Sequence, residues 1–228
     1  MDNYCNCGRE LCTNKIDLFK KLPLDIQKEI VIEAEHFQVQ RDETIINEGD
    51  LADHILVIRE GKLKCNHYDF DGKEYILDIL ITGDTVGEEL FMEKSHFDYN
   101  VISITSSKLC RISKEQLLSL LRKNSDWALS FIDLLSEKLN NANERIRMLM
   151  EANGLRRVVA FLAERDERLG GKAISLSVDE IAASTNLRRE TVSRKINELQ
   201  KRGLIERLGQ KQIKVTDRAK LMEIFYES

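Results

Sequence analysis

Residues 178–215, VDEIAASTNLRRETVSRKINELQKRGLIERLGQKQIKV, leave few choices of fold. Val178, Ile181 and Ala182 mark one face of a short helix. Ser184-Thr185-Asn186 then interrupts the pattern, as turn-forming residues do. A second helix follows, with Val192, Ile196 and Leu199 turned inward at helical spacing. Its other face carries Arg188, Arg189, Glu190, Thr191, Ser193, Arg194 and Asn197, side chains suited to phosphate oxygens and base edges. Gly203 stops the helix, and two β-rich runs, 204–207 and 212–215, flank Gly209-Gln210-Lys211. A plain helical hairpin with a solvated charged face would explain the helices alone. The glycine stop and a hairpin with Lys211 at its tip favour a winged helix-turn-helix, which reads double-stranded DNA.

The net charge of -4 does not by itself suggest nucleic acid, but its distribution does. Residues 154–228 hold 16 Lys and Arg against 11 Asp and Glu, a balance of +5. Residues 1–153 hold 19 against 28, a balance of -9. A basic C-terminal part on an acidic body fits a DNA-binding module joined to a second function.

Upstream, the period of the sequence changes twice. Residues 16–36 read as a helix, with Leu18, Phe19, Leu22, Leu24, Ile26, Ile30 and Val31 as its apolar positions. From Phe37 to about Ile112, short β-rich runs (54–59, 63–68, 75–80, 101–105 and 109–112) are separated by turns at Gly49, Gly61, Gly72 and Gly83. That rhythm implies an antiparallel sandwich or barrel. Residues 113–122 read as a short helix and 127–151 as a long one. In the long helix Leu135, Leu139, Ala142, Ile146 and Leu149 recur at alternating spacings of four and three, the pattern of a coiled-coil seam. A helix lying along its own domain is the plainer alternative. Gly154 is the expected hinge, and a helix over 155–169 leads to the helix-turn-helix. The expected fold is α+β. It comprises an N-terminal cysteine segment and β-roll sensor domain (1–123), a dimerisation helix (124–153) and a winged helix-turn-helix domain (154–228).

Several function classes lack support. No apolar run approaches a membrane span, and the N-terminus has no signal-peptide core, so a cytoplasmic protein is expected. No Ser-His-Asp set, phosphate loop or paired catalytic carboxylates stand out, so an enzyme is not expected; the nearest enzymatic reading is a β-barrel oxidoreductase with an accessory domain. His36, His54, His67 and His96 are scattered without a ligand pattern and read as surface or turn residues, which leaves haem a third reading of low weight.

Three motifs carry a resemblance across essentially the whole chain: GKLK at 61–64, GDTVGE at 83–88 and RRETVSRKINELQKRGLI at 188–205. With the element order they resemble the Crp/Fnr superfamily of bacterial transcription regulators. The resemblance implies a homodimer joined at the seam, RNA polymerase as a partner, and DNA contacts from Arg189, Glu190, Ser193 and Arg194. It also implies a palindromic site with TGTGA-like or TTGA-like halves. Base chemistry agrees: Arg can donate two bonds to guanine O6 and N7, and Glu can accept from cytosine N4. A salt bridge from Glu190 to Arg194, four residues on, is the structural alternative for Glu190.

The same resemblance frames the signal. Cyclic-AMP-binding members follow their Gly-Glu with an Arg-Ser pair that grips the phosphate. Here Gly87-Glu88 is followed by His96-Phe97-Asp98-Tyr99, without the arginine and with an acid that repels phosphate, which argues against cyclic AMP. Cys5, Cys7 and Cys12 precede the β-roll, and Cys110 falls where Fnr-type sensors place a fourth cysteine. Four thiolates suit a [4Fe–4S] cluster, although C-x-C-x4-C departs from the Fnr spacing. A reversible disulfide of Cys12 with Cys110 is the second reading, and a buried Cys110 with idle N-terminal thiols is the third. Cys65 reads as core. A cyclic-nucleotide-binding-like regulatory subunit acting on another protein remains a rival, but it would not need the winged helix.

Overall fold

The computed structural model describes residues 12–16, 18–20, 22–93, 95–209 and 211–226. The chain divides into two compact units, the first ending at Lys138 and the second beginning at Leu139.

In the first unit, eight strands form two four-stranded antiparallel sheets. Strands β1 (Glu35–Val39), β8 (Ser107–Ser113), β3 (His54–Glu60) and β6 (Thr85–Val86) make one, in that order. Strands β2 (Thr44–Ile46), β7 (Asn100–Ser103), β4 (Lys62–Tyr68) and β5 (Glu74–Ile81) make the other. Strand β3 shows why HILVIRE forms a central strand: both of its faces are covered. Leu56 and Ile58 enter the core shared by the two sheets, with Leu63, Val101 and Leu109. Ile55 and Val57 face the other way, into a helical layer with Phe19, Leu117, Trp127 and Phe131. Alternation of side chains along a strand sends neighbours to opposite cores. Each fully buried aliphatic side chain contributes about 1.5–3 kcal/mol.

That helical layer comprises α1 (Leu24–Glu33), α2 (Lys114–Lys123) and the start of α3 (Ser125–Met150). Trp127 donates from Nε1 to the Leu18 carbonyl at 2.8 Å and stacks on Phe19. The helix expected over 16–36 is shorter than its apolar residues suggested. Pro23, which fixes φ and lacks an N–H, stands at the N-cap of α1. At the far end Ala34 turns extended and the chain enters β1, so His36 is a strand residue.

Gly87, in the GDTVGE motif, has φ 111°, and a Cβ there would collide with the His54 carbonyl oxygen. Backbone conformation and close approach both demand glycine. Gly87→Ala should destabilise the first unit by on the order of 2 kcal/mol, read as a lowered midpoint in thermal or urea unfolding.

The second unit contains the end of α3, then α4 (Gly154–Arg168), β9 (Ile174–Ser175), α5 (Val178–Thr185), α6 (Arg189–Lys201), β10 (Ile205–Arg207), β11 (Gln212–Val215) and α7 (Arg218–Tyr226). Asn153 caps α4 by accepting the Leu155 N–H at 2.9 Å, and α4 buries Val158, Val159, Phe161 and Leu162. The three strands form one antiparallel sheet in the order β10-β11-β9.

Candidate nucleic-acid interface

Helix α5 begins with a capping box: Ser177 accepts the Glu180 N–H, and the Glu180 carboxylate accepts the Ser177 N–H. This satisfies two N-terminal donors that the helix itself cannot. The helix runs on through Ser184 and Thr185, which the sequence had placed in the turn. Both are fully buried, and Thr185 Oγ1 donates to the Ile181 carbonyl at 2.7 Å, which keeps its hydroxyl satisfied inside the helix. The turn is therefore Asn186-Leu187-Arg188, with Asn186 in the left-handed region at φ 49°. Asparagine tolerates that conformation better than most residues.

The turn delivers α6 with its apolar row fully buried: Val192, Ile196 and Leu199 each show 0% exposure. Arg188, Arg189, Glu190, Arg194 and Asn197 stand in solvent, and Thr191 and Ser193 are half-buried. Thr191 turns its methyl toward Gly154 at the start of α4, so it is the least available of the seven. Beside the exposed row lies an open groove of about 710 Å³, lined by Val178, Arg189, Glu190, Ser193, Arg194, Asn197 and Arg207 among others. Strands β10 and β11 pair antiparallel, and exposed Lys211 stands at the hairpin tip beside Gly209 at φ 83°.

Ion pairs organise this surface. Arg189 Nε lies 2.9 Å from Asp179 Oδ1 on α5. Arg207, on β10, donates to Asn197 Oδ1 at 3.3 Å. Glu198 lies between Lys195 at 3.1 Å and Arg202 at 2.8 Å. The Lys195 hydrogen bond, chiefly, holds the Glu198 carboxyl below its ordinary value. The salt bridge weighed for Glu190 and Arg194 is not among the ion pairs of the described residues. Sequence reasoning missed Asp179 and Arg207, because neither lies on the recognition helix.

The seam on α3 is mostly exposed to solvent. Leu139 is 65% and Ile146 55% exposed, Leu135 and Ala142 are also exposed, and Leu149 is half-buried. Ile132, at 56%, extends the row by a further step of three. The side of α3 within the first unit buries Trp127 and Phe131 instead.

Comparison with known proteins adds the family. Residues 36–124 match the cyclic nucleotide-binding domain, and residues 156–224 match the Crp-like helix-turn-helix domain. This combination, in this order on one chain, decides the matter. The chain belongs to the Crp/Fnr superfamily. It is a DNA-binding transcription regulator. Among similar proteins is the probable transcriptional regulator flp of Lacticaseibacillus casei, 27% identical over 216 residues, covering 94% of this chain and 97% of that one. The cyclic AMP receptor protein of Thermus thermophilus is 26% identical over 182 residues, covering 80% and 84%. The anaerobic regulatory protein of Pasteurella multocida is 26% identical over 193 residues, covering 82% and 70%. In fold, the structure of FixK2 from Bradyrhizobium japonicum aligns with a TM-score of 0.77 at 24% identity, covering 86% of this chain and 98% of that one.

In the first unit of this Crp/Fnr chain, the interior between the sheets is occupied by its own side chains. Phe97 is buried at 1% exposure and meets Tyr99 edge to face at 5.9 Å. The Tyr99 hydroxyl donates to Glu89 at 2.8 Å, and burial above all holds the phenol well above its usual pKa. Glu88 accepts from Thr85 Oγ1 at 2.6 Å and pairs with Lys138 at 2.7 Å. Burial also pushes the Cys65 thiol up, in keeping with a core role.

Cys5 and Cys7 lie outside the described residues. The backbone of Cys12 opens a 3-10 turn, Cys12–Lys15. Cys110 is buried at 5% in the helical layer, and its Sγ lies 3.0 Å from His36 Nδ1. His36 is thus not the surface or turn residue expected of it. Its Nε2 lies 2.7 Å from the Val31 carbonyl, which can only accept, so Nε2 carries the proton and Nδ1 faces both Cys110 and Arg59 Nη1 at 3.1 Å.

Proposed function

We propose that the protein is a homodimeric, cytoplasmic regulator that acts with RNA polymerase and places its two α6 helices in successive major grooves of a palindromic site with TGTGA-like or TTGA-like halves. The observation that carries this reading is the division of α6: Val192, Ile196 and Leu199 fully buried, Arg188, Arg189, Glu190, Arg194 and Asn197 in solvent. Arg189, Glu190, Ser193 and Arg194 read bases, while Arg188, Thr191, Asn197 and Lys211 supply phosphate and sugar contacts that set register. The exposed row from Leu135 to Leu149 pairs with its copy about a two-fold axis. Selection of bound duplexes from a random pool tests this: an inverted repeat with half-sites about one helical turn apart supports it, and an asymmetric or featureless pool overturns it.

The signal in this reading is redox, entering at Cys110. Names among the relatives point the same way, since several are called anaerobic regulatory proteins. Cyclic AMP fits poorly, because Phe97 and Tyr99 fill the roll, Asp98 stands in place of an arginine and Glu88 is engaged by Lys138. Among the described residues no three cysteine, histidine or acidic side chains converge as a metal site. In the thiol form of this reading, Cys110 and Cys12 lose two protons and two electrons to a peroxide-type oxidant and form a disulfide. The change in thiol state repacks the helical layer that also holds Trp127 and Phe131 of α3, and thereby biases the dimer seam. DNA affinity should then differ by roughly 5- to 150-fold between reduced and oxidised protein, and Cys110→Ser should abolish the difference. Brown, iron-containing protein from anaerobic purification would replace the disulfide with a cluster.

A further inference from the structure

Asp179 is an acid on the DNA-facing side of the second unit, where its charge would oppose phosphate. It stands in the first turn of α5, but the capping box there is made by Ser177 and Glu180, leaving Asp179 out of it. Its Oδ1 instead lies 2.9 Å from Arg189 Nε, on the next helix. Arg189 is the first residue of α6, in solvent, with no side-chain cap to orient that end.

We infer that Asp179 is a positioning residue for base recognition: it holds Arg189 by Nε, so that the two terminal nitrogens point outward as a fork. A guanidinium has five N–H donors in a fixed plane, and a carboxylate on Nε fixes that plane while leaving the terminal pair free. A guanine offers O6 and N7 to that pair. An unanchored arginine can also settle on a phosphate, which contributes affinity but no sequence information. The carboxylate therefore directs Arg189 away from phosphate and toward the base, and its own charge penalises docking on DNA that offers no matching guanine. The ion pair is exposed on both sides, so its role is orientation rather than stability. The plainer role, a favourable acid at a helix N-terminus, predicts a change in unfolding only.

This inference rests on Arg189 as a base reader, and the experiment separates the two. Full-length wild type, Asp179→Ala, Asp179→Asn and Arg189→Ala are titrated with the selected palindrome, with the same duplex altered at the guanine contacted by Arg189, and with scrambled DNA, alongside thermal unfolding. Asp179→Ala is expected to bind scrambled DNA several-fold tighter and to lose roughly tenfold of its preference for the guanine. Asp179→Asn keeps an acceptor oxygen for Nε without the charge. It is expected to retain most of the base preference while gaining the non-specific affinity. An unchanged guanine preference in Asp179→Ala overturns the inference, whether or not the melting temperature moves. If Arg189→Ala also leaves base preference unchanged, the assignment of Arg189 fails and the inference with it.

Discussion

Leu139→Asp combined with Ile146→Asp should leave a folded monomer whose affinity for a palindromic site is lower by about 10²–10⁴-fold. Both side chains are mostly in solvent, at 65% and 55%, so neither is needed by the core of its own chain. In a coiled-coil pair both residues would be knobs in the partner's holes, and four aspartates on the two-fold seam would be desolvated and repelling. The helix has 26 residues, about 39 Å, long enough for several heptad layers. Loss of the dimer separates two half-site contacts that otherwise act as one. Sedimentation should show one chain mass, with far-UV dichroism and non-specific DNA binding nearly unchanged. A double variant that remains dimeric would locate the interface elsewhere.

The second large effect is expected from Arg194. It stands in solvent on the outer face of α6, two residues before fully buried Ile196, so its stem leaves the body where the helix is best anchored. A bidentate arginine–guanine contact is worth about 1–3 kcal/mol of discrimination. A palindrome uses it twice, so Arg194→Ala should cost on the order of 10²–10⁴-fold in specific affinity and flatten preference at the matching base pair in both halves. Arg194→Lys should restore non-specific affinity but little of the preference, because an ammonium lacks the planar fork. Uniform weakening on all sequences, with preference intact, would reassign Arg194 to phosphate.

The output end was the more legible part of this chain because its determinants are local. The inward row of α6, the exposed row opposite and the glycine stop after it all lie within one helix and one hairpin, where the 3.6-residue period speaks directly. Even there the turn was misplaced by two residues, because Ser184 and Thr185 are buried in α5 despite their turn propensity. Tertiary packing outweighed intrinsic preference, as it often does. The β-roll was legible as a rhythm of strands and glycines, but β1, β2 and β6 were not, being short or continuous with an apparent helix. The contacts around Cys110 are set by sheet register. His36 and Cys110 are 74 residues apart and meet because β1 pairs with β8 in a register that places them opposite each other. No local pattern reveals such a pair, and His36 therefore read as one of four scattered histidines. Asp179 escaped notice for a related reason: its partner Arg189 lies across the turn, and only the angle between α5 and α6 brings them together.

Sequence-specific DNA binding by the intact chain is best followed through its salt dependence. Fluorescence anisotropy would compare a duplex carrying an inverted TGTGA/TTGA repeat with a scrambled duplex, across a salt series, in reduced and oxidised protein. Binding to the repeat is expected to be at least about 10³-fold tighter than to scrambled DNA in one redox state, with log affinity falling linearly with log salt. Equal affinity for both duplexes at every salt concentration and in both redox states would contradict it.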